Sequence, residues 1–91
     1  MPIYLISCDM RDMSHDYEHL FHSLREMGGH EAHPTTWLLE SATSLIDLSA
    51  SLLGLMADTD GLLILEITPG TPWAATRLGN QAGEWLKFRR P

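Results

Sequence analysis

The stretch Pro2-Ile3-Tyr4-Leu5-Ile6-Ser7-Cys8-Asp9 decides how the chain is read. From Ile3 to Cys8 the residues are β-branched, aromatic, aliphatic or small. The run is too short for a buried helix, so a strand is expected. A carboxylate, Asp9, closes it, and Arg11 and Asp12 follow at once. A buried strand that ends in an acid delivers that acid to a sheet edge, within reach of a metal ion or a substrate.

Beyond Asp9, residues Met10 to Ser14 read as a polar, charged turn. Ser14 is expected to cap a helix, with Asp16 and Glu18 in its first turn, where the helix dipole favours negative charge. Tyr17, Leu20, Phe21, Leu24 and Met27 recur at helical spacing and give one apolar face. Gly28-Gly29 ends that helix. His30 to Pro34 reads as a short edge strand leading into a turn, because Pro34 cannot donate to a ladder. Thr35 to Glu40 reads as a further strand.

Ser44 and Asp47 stand three apart, the spacing of a capping box. Leu45, Leu48, Leu52, Leu55 and Met56 follow as the face of a second helix, weakened by Gly54. Asp58-Thr59-Asp60-Gly61 is a turn. Gly61 to Thr68 is almost continuously apolar, so it is expected to be a central strand, buried on both faces. Pro69-Gly70-Thr71-Pro72 excludes helix and central strand. Asn80 to Phe88 could form a short helix burying Ala82, Trp85 and Leu86.

Residues 1–91 therefore make a single domain, with 69–91 as an irregular segment and a short C-terminal helix. The order of elements satisfies short connections and right-handed crossovers as an α+β, ferredoxin-like βαββαβ sandwich. Its two main helices cover one face of the sheet. Strands one and four are apolar on both sides, so the other face needs a cover. The C-terminal segment is short, and a homodimer packed through the open sheet face is expected.

Composition narrows the class. A chain of 91 residues can bury one core without staples. No segment approaches the length of a membrane span. The chain opens on its first strand, leaving no room for a signal peptide. A single cysteine, Cys8, excludes an internal disulfide and reads as a packed thiol, which fits a cytoplasmic setting. Net charge is −6, spread unevenly: residues 1–76 carry −9, and residues 77–91 carry +3 through Arg77, Lys87, Arg89 and Arg90 against Glu84. The acidic body disfavours non-specific duplex binding, and the basic segment reads as a solvated tail.

The residues also carry a resemblance. Tyr4-Leu5-Ile6-Ser7-Cys8-Asp9-Met10 resembles the start of the small CRISPR-associated spacer-acquisition nucleases, the second Cas protein family, and more closely the short SinR-like proteins of that superfamily. Asp16-Tyr17-Glu18 with Leu20, Thr35-Thr36-Trp37-Leu38-Leu39, Asp60-Gly61-Leu62-Leu63-Ile64-Leu65-Glu66 and Gly83-Glu84-Trp85-Leu86-Lys87 are similar to its later elements. The resemblance covers most of the chain. It implies a ferredoxin-like homodimer with distant kinship to VapD-type ribonucleases. In the nuclease members, first-strand aspartates from the two subunits face each other and bind a divalent metal, which implies Asp9 as catalytic residue and as ligand to Mg²⁺ or Mn²⁺. The basic and aromatic residues with which those nucleases hold nucleic acid are not matched.

Asp9 is thus the principal candidate. Two carboxylates across a two-fold axis make a hard-cation site, and the ion could activate water beside a phosphodiester. Arg11 is the candidate contact to nucleic acid, Ser7 a possible assistant and Asp12 a further ligand. The plainer reading is that Asp9 caps the Met10–Ser14 turn. His15, His19, His22 and Glu26 fall on one arc of the first helix and could bind zinc or nickel, or simply form its solvated side. Trp37, Trp73 and Trp85 could stack bases, although periodicity puts Trp37 and Trp85 in the core and Trp73 at an interface. Cys8 lacks a neighbouring histidine or cysteine. Two functions stay open: a metal-dependent endonuclease acting on RNA or DNA through Asp9 of each subunit, or a non-catalytic homodimeric binding or regulatory module.

Overall fold

A computed structural model of the chain describes residues 1–89. Arg90, counted in the basic segment above, lies outside the described residues. The elements are β1 (Ile3–Asp9), α1 (Glu18–Glu26), β2 (His30–His33), β3 (Thr36–Glu40), α2 (Leu45–Leu53), β4 (Gly61–Ile67) and α3 (Ala82–Arg89). The four strands form one antiparallel sheet in the order β2-β3-β1-β4, a small α+β arrangement. No helix among the described residues is long and apolar enough to cross a membrane.

β1 is the centre of the sheet and sorts its side chains by alternation. Tyr4, Ile6 and Cys8 face α1 and α2, and they pack with Trp37 and Leu39 of β3. Onto them α1 lays Leu20 and Leu24, and α2 lays Leu48 and Leu52, all four fully buried. Each such leucine contributes roughly 1.5–3 kcal/mol of burial. The hydroxyl of Tyr4, at the edge of this layer, donates to the carbonyl of Thr43 at 2.8 Å and ties β1 to the loop before α2.

The helix boundaries follow local chemistry, with one correction. Ser44 caps α2 as expected, its Oγ accepting from the Asp47 N–H at 3.2 Å. Gly54 stands at the C-cap of that helix, where it costs nothing in helix interior. Ser14 does not cap α1. Its N–H and hydroxyl both donate to Asp12 Oδ1, at 2.9 and 2.6 Å, and this local turn delays the helix to Glu18. α1 ends where Gly28 takes φ +86°, the left-handed conformation. At Gly29 a Cβ would stand 2.7 Å from the Leu24 carbonyl oxygen, so the close approach of chain to helix requires glycine.

The second face of the sheet departs most from expectation. β4 is an edge strand, not a central one. Its Leu63 and Leu65, on the same side as Leu5 and Ser7 of β1, remain 55% and 51% exposed. A continuous apolar run has the same composition whether or not something covers both its faces, which is why the strand reads as central. The C-terminal segment, expected to be too short as a cover, covers part of this face: Ala82 and Leu86 of α3 are buried with Ile3, Ala32 and Leu38. α3 thus roofs the β2–β3 side and leaves the β4 side bare.

Candidate functional site

The register that pairs Asp9 with Gly61 brings the end of β1 to the start of β4, and two loops meet there. Their joint is Asp60. Its Oδ2 accepts the Ala57 N–H at 2.8 Å and closes the turn before β4, while its Oδ1 accepts the Arg11 N–H at 2.8 Å. The Tyr17 hydroxyl lies 2.8 and 2.7 Å from the two carboxylate oxygens, and its single proton can serve either. The same phenolic oxygen accepts the Asp12 N–H at 3.3 Å. Two loops more than forty residues apart in sequence are held by one side chain.

The electrostatics follow from these bonds. Loss of hydration pushes the Asp60 carboxyl up, but the Arg11 N–H, the Tyr17 hydroxyl and the Ala57 N–H together outweigh it and hold the group below the usual carboxylate range. Desolvation, then the bond to Asp60, raises Tyr17. The Ser14 hydroxyl and N–H lower Asp12. Burial raises the Cys8 thiol, with a smaller push from Asp60, so Cys8 is held as a packed, protonated thiol.

Asp9 lies on the same side of β1 as Leu5 and Ser7, at an exposed corner. Its Oδ2 receives two donors from Arg11, Nε at 2.8 Å and Nη2 at 2.7 Å, and Arg11 Nη1 reaches the Thr59 carbonyl at 3.2 Å. The hydrogen bond that it donates to Asp9 is the main reason the Arg11 guanidinium is pushed further up. Both side chains are about three-fifths exposed. A pair this open is screened by solvent and weak, so a competing ligand could draw either partner away at small cost.

The remaining candidates are scattered. Asp12 turns to Ser14 and does not join Asp9. A shallow depression of about 470 Å³ is lined by Asp12, His15, Asp58 and Thr59 with Met56 and Ala57. The histidine arc does not form, because His15 precedes α1. Its Nε2 lies 3.0 Å from the Leu55 carbonyl, an acceptor, so Nε2 carries the proton, and its ring meets Tyr17 edge-on at 4.8 Å. His22 pairs with Glu26 at 3.3 Å, and His19 is exposed. Among the described residues no three His, Cys, Asp or Glu gather around one point where a metal ion could sit.

The tryptophans divide. Trp37 is buried in the core beside Phe21. Trp85 is half-buried, with the Arg89 guanidinium 4.0 Å above its ring and His30 stacked at 6.0 Å. Trp73 lies in the irregular segment, 37% exposed, at the mouth of an apolar cavity of about 230 Å³ between the sheet and α3. Neither this cavity nor the Tyr17–Asp60 joint follows from the sequence pattern. Tyr17 reads as one more apolar-face residue and Asp60 as one more turn residue. Only the 43-residue contact between them reveals the joint.

Compared with known proteins, the chain matches no family model, no curated protein and no solved structure.

Proposed function

We propose that this chain is a homodimeric binding module of the SinR-like kind, related in design to the CRISPR-associated spacer-acquisition nucleases but without their chemistry. The observation that carries the reading is the bare, leucine-lined half of the sheet, where Leu63 and Leu65 stand about half exposed beside Leu5 and Ile67. Exposed leucines in a row on a flat strand favour a second sheet as their cover. The strand order β2-β3-β1-β4, with α1 and α2 on one face, supports a ferredoxin-like assignment. A buried, protonated Cys8 as the chain's one thiol supports a reducing, cytoplasmic setting. Sedimentation of the wild-type chain over a rising concentration series tests the dimer; a single monomeric species throughout would defeat it.

A second reading is favoured by one observation. Asp9 is exposed on the same side of the sheet as the bare leucines, so a dimer through that face has its first-strand carboxylates on the facing surfaces. Such a pair would hold Mg²⁺ or Mn²⁺ for phosphodiester hydrolysis of RNA or DNA, once each Asp9 is released from Arg11. The test is cleavage of labelled RNA and DNA with either ion, comparing wild type with Asp9→Ala. Cleavage that disappears on substitution, with folding intact, favours this reading. No cleavage by pure wild-type protein favours the module.

A further inference from the structure

We infer that the cavity beneath α3 is a binding site for a neutral, largely hydrocarbon molecule of about nine heavy atoms that carries one hydrogen-bonding group. The inference does not rest on the dimer: Leu5 and Ile67 border both the cavity and the bare half of the sheet, but Leu63 and Leu65 line only the latter.

Size comes first. The cavity measures about 230 Å³. An apolar cavity of about 150 Å³ in another protein stays dry and accepts benzene, with its six heavy atoms; scaling by volume gives about nine here. The walls set the chemistry. Leu5, Leu38 and Ile67 come from the sheet, Leu86 from α3, and Trp73 and Leu78 from the irregular segment that closes one side. Apolar walls left facing water or void lack dispersion partners, and a hydrocarbon supplies them while the mouth stays open to solvent.

Charge excludes the alternatives. Among the described residues no Asp, Glu, Lys or Arg lines the cavity, so a cation entering it finds no carboxylate there and an anion no ammonium or guanidinium. The polar side chains at the wall are His33 and Thr36, neighbours across the β2–β3 turn. Thr35 Oγ1 lies 3.0 Å from His33 Nδ1 and fixes that ring, which leaves Nε2 for a ligand's hydroxyl or carbonyl. His33 is exposed, so that group sits at the mouth while the hydrocarbon lies inside.

The experiment titrates the full chain with 1-octanol, and in parallel with octanoate, following backbone amide shifts by NMR. Saturable shifts with 1-octanol at Leu5, Leu38 and Trp73 are expected, with weaker binding of octanoate. Ala75→Phe and Leu78→Trp each fill the cavity from a segment without helix or strand, and each should weaken 1-octanol binding by roughly tenfold or more. Circular dichroism identifies which variants fold, and either folded variant suffices. Absence of saturable shifts in the wild type, shifts mapping elsewhere, or unchanged binding in a folded variant would overturn the site. Octanoate binding as tightly as 1-octanol would overturn the neutral ligand class.

Discussion

Replacing Leu65 by glutamine separates the fold from the assembly. Leu65 is 51% exposed in the single chain, so the substitution gives up at most its buried half, and monomer stability should fall by no more than about 0.8–1.5 kcal/mol. In a face-to-face dimer the cost is different. Fully burying a leucine contributes about 1.5–3 kcal/mol, so covering the exposed half of one contributes about 0.8–1.5 kcal/mol. Leu63 and Leu65 from two copies supply about 3–6 kcal/mol, against an association cost of about 4–15 kcal/mol. The remaining exposed surface of Leu5 and Ile67 must add to this before any net association results, so the dimer is expected to be weak. Leu65→Gln removes its share twice, about 1.5–3 kcal/mol, and should loosen the dimer by roughly tenfold to a hundredfold. Sedimentation velocity reads the constant and thermal melting of the dilute chain reads the fold. A wild-type dimer that Leu65→Gln leaves equally tight would refute assembly through this face. A variant that melts far below wild type as a monomer would refute the exposure on which the argument depends.

Three further outcomes follow from the core and the loops. Tyr4→Phe leaves the Thr43 carbonyl without its donor and should cost about 0.5–1.5 kcal/mol, read as a lower urea midpoint with an unchanged slope. Ser44→Ala removes the side-chain cap of α2 and should cost about 0.5–2 kcal/mol in the same assay. Asp60 has its folded pKa below its unfolded value near 3.9, so its contribution is complete above about pH 4 and is lost as pH falls through the lower, folded value. Melting temperature should therefore drop on acidification below about pH 4, and Asp60→Asn should flatten that drop while lowering stability at neutral pH.

How far the sequence speaks depends on the range of the interaction. β1, the Gly28-Gly29 stop and the Ser44 cap are set by neighbours within a few residues, and each stands where the pattern puts it. The delayed start of α1 is local too, but two local solutions competed. Ser14 could cap a helix or close a turn with Asp12, and the tighter ring won. β4 exposes a deeper limit. Its pattern records that leucines need covering, not whether the same chain covers them. Asp9 is legible as an acid at a strand end, whereas its clasp by Arg11 depends on the turn's path, and the Tyr17–Asp60 joint on the meeting of two distant loops. The cavity depends on where an irregular, proline-bearing segment comes to rest, and no periodicity encodes that.

The position of β4 has a practical corollary. Its outer rim presents backbone donors and acceptors to whatever strand arrives, and of its seven residues Glu66 alone bears a charge. Lysine and proline, the usual guards of such a rim, are missing from it. Glu66→Gln should therefore turn a soluble preparation turbid at concentrations the parent tolerates, with the gain in light scattering preceding any loss of helix.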